Sequence, residues 1–337
     1  MIRTAECVTP RHPDKICDRI SDAILDACLT EDPMSRVAIE CLGGHGVITV
    51  TGELATSGYV NIAKIAKEII EEASYGVMVN VVEQSSAINQ GVSSGGAGDQ
   101  GVMVGYACNE NEAMIPDELF YARKLCMYLY VDCMINVDGK TQVTMEDGKI
   151  KSVVASFQKT NKAKLEGKVK LFLDGINNIV DPDVVIHANP AGDWVLGGFE
   201  ADTGLTGRKI AVDNYGPRVP IGGGAFSGKD ASKVDRSGAY AARKAAVELL
   251  NQFPTCKEAF VYLAYGIGLV YPLMATAHLI GFDSGETRIV ELDPSKFTPN
   301  RIIENLKLKD PIFSRTARWG HMGRGFIWDD PETKLFT

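Results

Sequence analysis

Two glycine-rich segments with neighbouring cations are the parts of the sequence whose residue types best suit chemistry. Residues 204–209 read GLTGRK, and residues 222–228 read GGGAFSG. Backbone N–H groups in such loops are sterically free to hold phosphate oxygens. Asp235 could hold Mg2+ beside them. The cations that could neutralise a triphosphate there are Arg208, Lys209, Lys229 and Lys233. The segment from Asp202 to Asp235 therefore predicts a polyphosphate site.

The second loop also nearly matches a P-loop. Residues 223–230 follow the pattern G-x-x-x-x-G-K-[ST] except at its last position, which is Asp230. The hydroxyl group that would bind Mg2+ in a P-loop is therefore replaced by a carboxylate. A P-loop ATPase is an alternative interpretation that this substitution disfavours.

Two shorter motifs carry polar residues that could reach a ligand. His12 and Asp14 lie in HPDK at the start of a predicted helix, and Asp99 lies in GAGDQG at 96–101. A histidine can donate a proton to a leaving oxygen, and an aspartate can bind a hard cation. Alone, such motifs are typical of a helix cap and a turn.

Composition narrows the class of protein. The 337 residues carry a formal net charge of −8, which argues against general nucleic-acid binding. The eight cysteines include no CxxC pair, so zinc spacing is absent and reduced thiols are expected. Since the first residues show no signal-peptide pattern, a cytoplasmic location is expected.

One uncharged stretch, 259–281, is long enough to span a membrane. Its Gly266, Gly268 and Pro272 favour a buried strand at 260–265, then a turn and a second apolar piece. We therefore expect no membrane span.

The remaining periodicity predicts a mixture of helices and strands in irregular order. Helices are predicted from Pro13, over 62–70, over 116–130 and over 234–250, and strands over 47–54, 141–144, 151–157 and 184–188. The irregular alternation favours an α+β fold with mixed sheets. Similar loop-to-helix segments near residues 12–22 and 228–236 suggest an internal repeat.

In chain order, HPDK, GAGDQG, Asp138-x-Lys140, GLTGRK and GGGAFSGKD closely resemble the methionine adenosyltransferase family, over about Glu6 to Arg324. The resemblance implies three similar α+β domains about a pseudo-threefold axis, each assembled from discontinuous segments. Their approximate ranges are 1–100, 101–195 and 196–337. It also implies a homodimer with active sites between the subunits, or a tetramer of such dimers.

The same resemblance implies a reaction between ATP and L-methionine. The methionine sulfur attacks C5′ of ATP and expels triphosphate, which is then hydrolysed to pyrophosphate and phosphate. His12, Lys140, Arg208, Lys229 and Lys233 would be catalytic. Asp14 and Asp235 would bind Mg2+, and Glu40 would bind K+. Methionine would contact Glu53, Gln90, Asp99, Asp202 and Lys233. ATP would contact His12, Asp138, Lys140, Asp193, Trp194, Asp202, Arg208, Lys209, Ala225 and Lys229.

The sequence departs from the family pattern in three places. Ile221 stands where a histidine is usual, and Asp193 stands where a cation is common. The segment that would cover the site, about 80–98, is short. A non-catalytic homologue is therefore the second hypothesis, although the retained His12, Asp14 and Lys229 argue against it.

Overall fold

The computed structural model of the protein describes residues 1–71, 74–84, 95–281 and 285–337. The strands are β1 (Ile2–Val8), β2 (Arg36–Gly44), β3 (Val47–Ala55), β4 (Gly76–Glu83), β5 (Gly101–Cys108), β6 (Gly139–Glu146), β7 (Lys149–Phe157), β8 (Val180–Ala188), β9 (Gly204–Leu205), β10 (Glu258–Tyr265), β11 (Met274–Ile280) and β12 (Thr287–Glu291). The α-helices are α1 (Pro13–Glu31), α2 (Ile62–Ile70), α3 (Asp117–Met127), α4 (Lys162–Asp174), α5 (Ile210–Asp213), α6 (Val234–Gln252), α7 (Pro299–Asn305) and α8 (Phe313–Trp319).

The strands form three four-stranded sheets, in the orders β9-β2-β3-β4, β1-β6-β7-β8 and β5-β10-β11-β12. The pairs β3–β4 and β7–β8 are parallel, and α2 and α4 provide their crossover connections. The other neighbouring pairs are antiparallel. The predicted α+β fold with mixed sheets is confirmed.

The three sheets repeat one unit, a long helix followed by a hairpin. Helices α1, α3 and α6 precede the hairpins β2–β3, β6–β7 and β10–β11. The strand before each long helix pairs with the next unit's hairpin: β1 with β6, β5 with β10, and β9 with β2. Each unit thus gives one strand to the next, and the third unit gives one to the first. A pseudo-threefold arrangement of discontinuous domains requires such a cyclic exchange. Each sheet therefore takes strands from two of the ranges 1–100, 101–195 and 196–337.

Most predicted elements form with small shifts at their ends. Helix α1 starts at Pro13, where proline suits the first turn because its missing N–H would be unpaired anyway. Helix α3 ends at Met127 and continues as one wider turn over Tyr128–Asp132. The uncharged stretch 259–281 contains β10, a turn and β11, as predicted. Among the described residues, no helix has the length and apolar character needed to cross a membrane.

Helix α6 lies at the centre of the larger hydrophobic core, and its residues 234–250 are buried on every side. Strand β5 packs directly on it. A Cβ atom placed on Gly105 would lie 2.0 Å from the carbonyl carbon of Ala242. The contact between β5 and α6 therefore requires glycine at position 105.

We expect Gly105→Ala to lower the free energy of unfolding by about 3 kcal/mol, because strand and helix must separate to admit a methyl group. Gly167→Ala in α4 is the matched control, since a Cβ atom there meets no atom within 4 Å. That change should stabilise the protein by about 0.5–1 kcal/mol through helix propensity. Urea unfolding measures both, and equal effects of the two substitutions would contradict the assignment.

Candidate functional site

Four aspartates at four-residue intervals lie along one face of α1 and bind the C-terminal third of the chain. They are Asp14, Asp18, Asp22 and Asp26. Asp14 accepts a hydrogen bond from the backbone N–H of Leu205 (2.9 Å), and Asp18 accepts one from Gly207 (2.8 Å). These two contacts position the segment 204–209 over the start of α1.

The other two aspartates hold the second loop and the last helix. Asp22 accepts the backbone N–H of Gly228 (2.8 Å), and Asp26 accepts that of Phe313 (2.9 Å) at the start of α8. Both glycine-rich loops are therefore fixed to one helix. The regular spacing of these acids is visible in the sequence, but the partners of Asp22 and Asp26 were not predicted.

His12 caps the N-terminus of α1 and is buried. Its Nδ1 accepts the backbone N–H of Asp14 at 3.2 Å. Burial and the nearby ammonium groups of Lys209 and Lys140 lower the pKa of His12 to about 3. The ring is therefore neutral at physiological pH, and with Nδ1 accepting, its proton lies on Nε2. The arrangement leaves Nε2–H as a hydrogen-bond donor for a ligand.

Asp14 forms ion pairs with the two cations of GLTGRK. Its carboxylate lies 2.6 Å from Nζ of Lys209 and 3.7 Å from Nε of Arg208. Burial acts to raise the pKa of Asp14, but the hydrogen bonds from Lys209 and the Leu205 amide hold it below its usual value. Asp14 is therefore an anion, and the Arg208 side chain is half exposed beside it.

Lys229 and Asp235 form a matching pair on the second loop. Nζ of Lys229 lies 2.9 Å from Oδ2 of Asp235, whose Oδ1 accepts the backbone N–H of Gly224 at 2.7 Å. Asp235 lies in the first turn of α6. The triple glycine thus folds back onto a helix N-terminus, an arrangement that suits phosphate binding.

Asp230 and Lys233 form an ion pair with each other. Asp230 accepts the backbone N–H of Val37 in β2 at 2.7 Å and pairs with the ammonium group of Lys233. The carboxylate at the end of the P-loop-like pattern therefore fastens the loop to a sheet edge. The ammonium group of Lys233 is thus paired with a carboxylate, as those of Lys209 and Lys229 are.

Strand β2 brings the two loops side by side. Leu42 pairs with Leu205 of the first loop, and Ala38 forms a bridge with Lys229 of the second. Glu40 lies between these two positions and is exposed. The predicted K+ ligand is thus close to both phosphate-binding candidates. Glu53 is exposed on β3 opposite Ala38.

Asp138 directly precedes β6, and Lys140 is the second residue of that strand. The Asp138 carboxylate accepts the backbone N–H of Gly198 at 2.9 Å, and burial raises its pKa. Lys140 is exposed on the same strand. Asp202 is exposed four residues after Gly198. The predicted nucleotide contacts therefore approach the first loop from the neighbouring sheet.

Asp193 has a structural partner. Its Oδ1 accepts the backbone N–H of Lys162 at 2.8 Å in the first turn of α4. This hydrogen bond adds to the Asn161 cap at the start of α4, and the exposed Asp193 stays a predicted ATP contact. Trp194, next to it, is partly buried.

The GAGDQG segment pairs with the turn at Gly268, a contact that the sequence did not predict. Ala97 donates its N–H to the carbonyl oxygen of Leu269 at 2.9 Å, and Gly268 donates to that of Ala97 at 2.8 Å. Asp99 is exposed beside this pairing. Ala225 contacts Gly207, where an added Cβ atom would lie 2.3 Å from the alanine methyl group. Gln90 lies outside the described residues.

No set of three histidine, cysteine or acidic side chains in the described ranges could hold a metal ion by itself. Asp14 and Asp235 instead offer separate hard oxygen ligands, each paired with a lysine. Mg2+ is commonly bound by one or two carboxylates together with substrate phosphates. The two aspartates therefore fit Mg2+ that arrives with a polyphosphate.

The burial of His12 predicts how stability depends on pH. Its pKa rises from about 3 in the folded state to the ordinary 6.5 on unfolding. Between these values the unfolded chain binds more protons, so His12 lowers the free energy of unfolding as pH falls below 6.5, by up to about 1.4 kcal/mol per pH unit. The variant His12→Asn keeps a capping oxygen. We expect its free energy of unfolding to fall less steeply than that of the wild type between pH 6.5 and 5.

Urea unfolding at several pH values, with EDTA present, measures this difference. His187→Asn on β8 is the control, because His187 is exposed. An unchanged pH profile in His12→Asn, or an equal change in both variants, would contradict the buried neutral histidine.

Nearly the whole chain is similar to known proteins. Residues 1–93, 94–194 and 196–330 match the N-terminal, central and C-terminal domains of S-adenosylmethionine synthetase. An S-adenosylmethionine synthase of Wolinella succinogenes is 42% identical over 97% of this chain and 94% of its own length. Those of Salinibacter ruber (40% identical, 97% and 95% covered) and Helicobacter pylori strain HPAG1 (39% identical, 99% and 97% covered) are similar. With this coverage and the motifs in place, the chain belongs to the S-adenosylmethionine synthetase family.

Proposed function

We propose that the protein joins L-methionine to ATP. The thioether sulfur attacks C5′ of the ribose, the C5′–O bond breaks, and the triphosphate leaves with the bond electrons, which yields S-adenosylmethionine. Hydrolysis of the triphosphate to pyrophosphate and phosphate follows in the same site. Family membership supports the overall reaction. The observation that carries the proposal is the convergence on β2 of two glycine-rich loops bearing Arg208, Lys209 and Lys229.

The chemistry explains why cations predominate in the site. A thioether is a good neutral nucleophile and needs no general base. The highly charged leaving group is the difficult part, so preorganised positive charge should supply most of the catalysis. Neutral His12 donates Nε2–H towards the leaving oxygen. Lys209 and Lys229 now pair with Asp14 and Asp235, and the triphosphate would compete for both ammonium groups.

The proposed site also binds metal ions. Asp14 and Asp235 would hold Mg2+ together with the phosphate oxygens, and Glu40 would hold K+. Bound Mg2+ would neutralise charge on the leaving group. The eight cysteines are all unpaired, which supports the reducing cytoplasm as the proposed location.

We also propose a homodimer, alone or within a tetramer. Glu40 and Glu53 lie on an open face of the sheet β9-β2-β3-β4. The same face exposes Met78 (62%) and Val82 (57%) on β4. Exposed apolar side chains around predicted substrate ligands support a second subunit that completes the site. The proposed K+ ligand Glu40 and the proposed methionine ligand Glu53 would then lie at the interface between the subunits.

Product analysis tests the function. Purified protein is incubated with ATP, methionine, Mg2+ and K+, and products are identified by mass spectrometry against a control without methionine. We expect methionine-dependent S-adenosylmethionine with equal amounts of pyrophosphate and phosphate. ATP consumption without methionine would favour an ATPase. Binding of ATP without any sulfonium product would favour the non-catalytic homologue.

A further inference from the structure

A small cavity lies between the two glycine-rich loops. Its walls include Gly207 of the first loop and Ser227 of the second, and its volume is about 10 Å3. That is room for a single water molecule. The other residues that line it are the polar Asp18, Asp213, Asn214 and His321 and the apolar Ile210 and Phe226.

One wall presents a hydrogen-bond acceptor without a partner. Asn214 is 8% exposed, and its Oδ1 is buried and unpaired within the part of the chain that the structure describes. An unpaired buried amide oxygen is costly, and such atoms in native proteins are usually satisfied by an ordered water. A ligand bound in the cavity should therefore be able to donate a hydrogen bond to this oxygen.

His321, which also lines the cavity, presents a donor. Tyr240 accepts a hydrogen bond from Nε of Arg236 (3.1 Å), so its single proton lies towards Nδ1 of His321 (2.7 Å). Burial and the charge of Arg236 lower the pKa of His321 well below its ordinary value, so the ring is neutral. Its proton therefore lies on Nε2. Over the described ranges, Nε2–H has no protein acceptor.

We propose that the cavity binds one structural water, which accepts from Nε2–H of His321 and donates to Oδ1 of Asn214 and to the carboxylate of Asp18. A cation is disfavoured because the His321 donor points its hydrogen at the cavity. The water makes three hydrogen bonds, the usual number for a buried water. His321 is thereby a positioning residue that acts on the loops without touching substrate.

The water would join two hydrogen-bonded networks. On one side, Asp18 holds the Gly207 amide. On the other, His321 connects through Tyr240 to Arg236, whose partner Asp22 holds the Gly228 amide. Removing the water should therefore loosen one loop relative to the other. The effect on catalysis rests on the proposed function, whereas the water site itself does not.

Crystallography tests the site directly. In the ligand-free protein we expect one density peak within about 3.2 Å of both Asn214 Oδ1 and His321 Nε2. After a rubidium chloride soak, that peak should give no anomalous signal. An empty cavity, or rubidium in it, would overturn the proposal.

Kinetics tests the positioning role. Asn214→Leu removes the acceptor and fills the cavity, and it should raise KM for ATP about tenfold with a much smaller change in kcat. If the substitution only destabilised the protein, fewer molecules would be folded and active. The apparent kcat would then fall without this rise in KM. Asn214→Ser keeps an acceptor oxygen and leaves space for water, so its KM should stay near that of wild type.

An unchanged KM in Asn214→Leu, or equal impairment in both variants, would refute the positioning role. Should the wild-type protein form no S-adenosylmethionine, the proposed function fails, and crystallography alone decides the water site.

Discussion

Lys229→Met is expected to lower kcat for S-adenosylmethionine formation by about 1,000-fold. Two effects add. The leaving triphosphate loses a direct counter-charge, and Asp235 loses the ammonium group that now lies 2.9 Å from it. An uncompensated carboxylate beside the phosphates would then repel the charge that develops on the leaving oxygen. Methionine as the replacement keeps the length of the lysine stem, so the loop should stay in place.

Quenched-flow or steady-state product assays measure this loss. Lys229→Arg should lose much less, because it keeps the charge with a different shape. Lys164→Met, an exposed position on α4, is the control for removing any surface lysine and should leave kcat unchanged. Near-normal turnover in Lys229→Met would remove this residue from the phosphate site.

Local pattern predicted much of the secondary structure. Helices α1 and α6 followed from apolar spacing, and strands β6 and β7 followed from the patterns over 141–144 and 151–157. The cyclic exchange of β1, β5 and β9 did not follow, because pairing between strands more than 100 residues apart leaves no local signal. Only the resemblance to a family implied discontinuous domains.

Polar residues were harder to assign, because their role depends on which neighbour they meet. Asp230 looks like a defective P-loop residue in the sequence, yet it fastens the loop to Val37 of β2. Asp193, a predicted ATP contact, also accepts a hydrogen bond from the first turn of α4, which the sequence did not indicate. Conversely, the four-residue spacing of acids on α1 is a sequence signal whose meaning appears only once the C-terminal loops are placed on that helix.

The second large effect is expected at the buried pair that holds the second loop. Both Asp22 and Arg236 have fully buried side chains (0% exposed), and their atoms lie 2.7 Å apart. Asp22→Asn should lower the free energy of unfolding by about 3–5 kcal/mol, because it leaves the Arg236 charge buried without compensation. Lys64→Met, which breaks an exposed pair with Glu68 at 3.8 Å, should cost about 0.5 kcal/mol or less.

Urea unfolding at one fixed protein concentration measures both, and a double-mutant cycle separates the two contributions to the loss. In Asp22→Asn/Arg236→Met neither residue of the pair carries a buried charge, so the double variant should be more stable than the sum of the single losses predicts. Strict additivity would mean that the pair is not coupled. Even where stability recovers, ATP binding should stay weak, because the Gly228 amide no longer has a charged acceptor and Lys229 follows it directly. The ion pair would then serve to fix the loop, with stability as a secondary consequence.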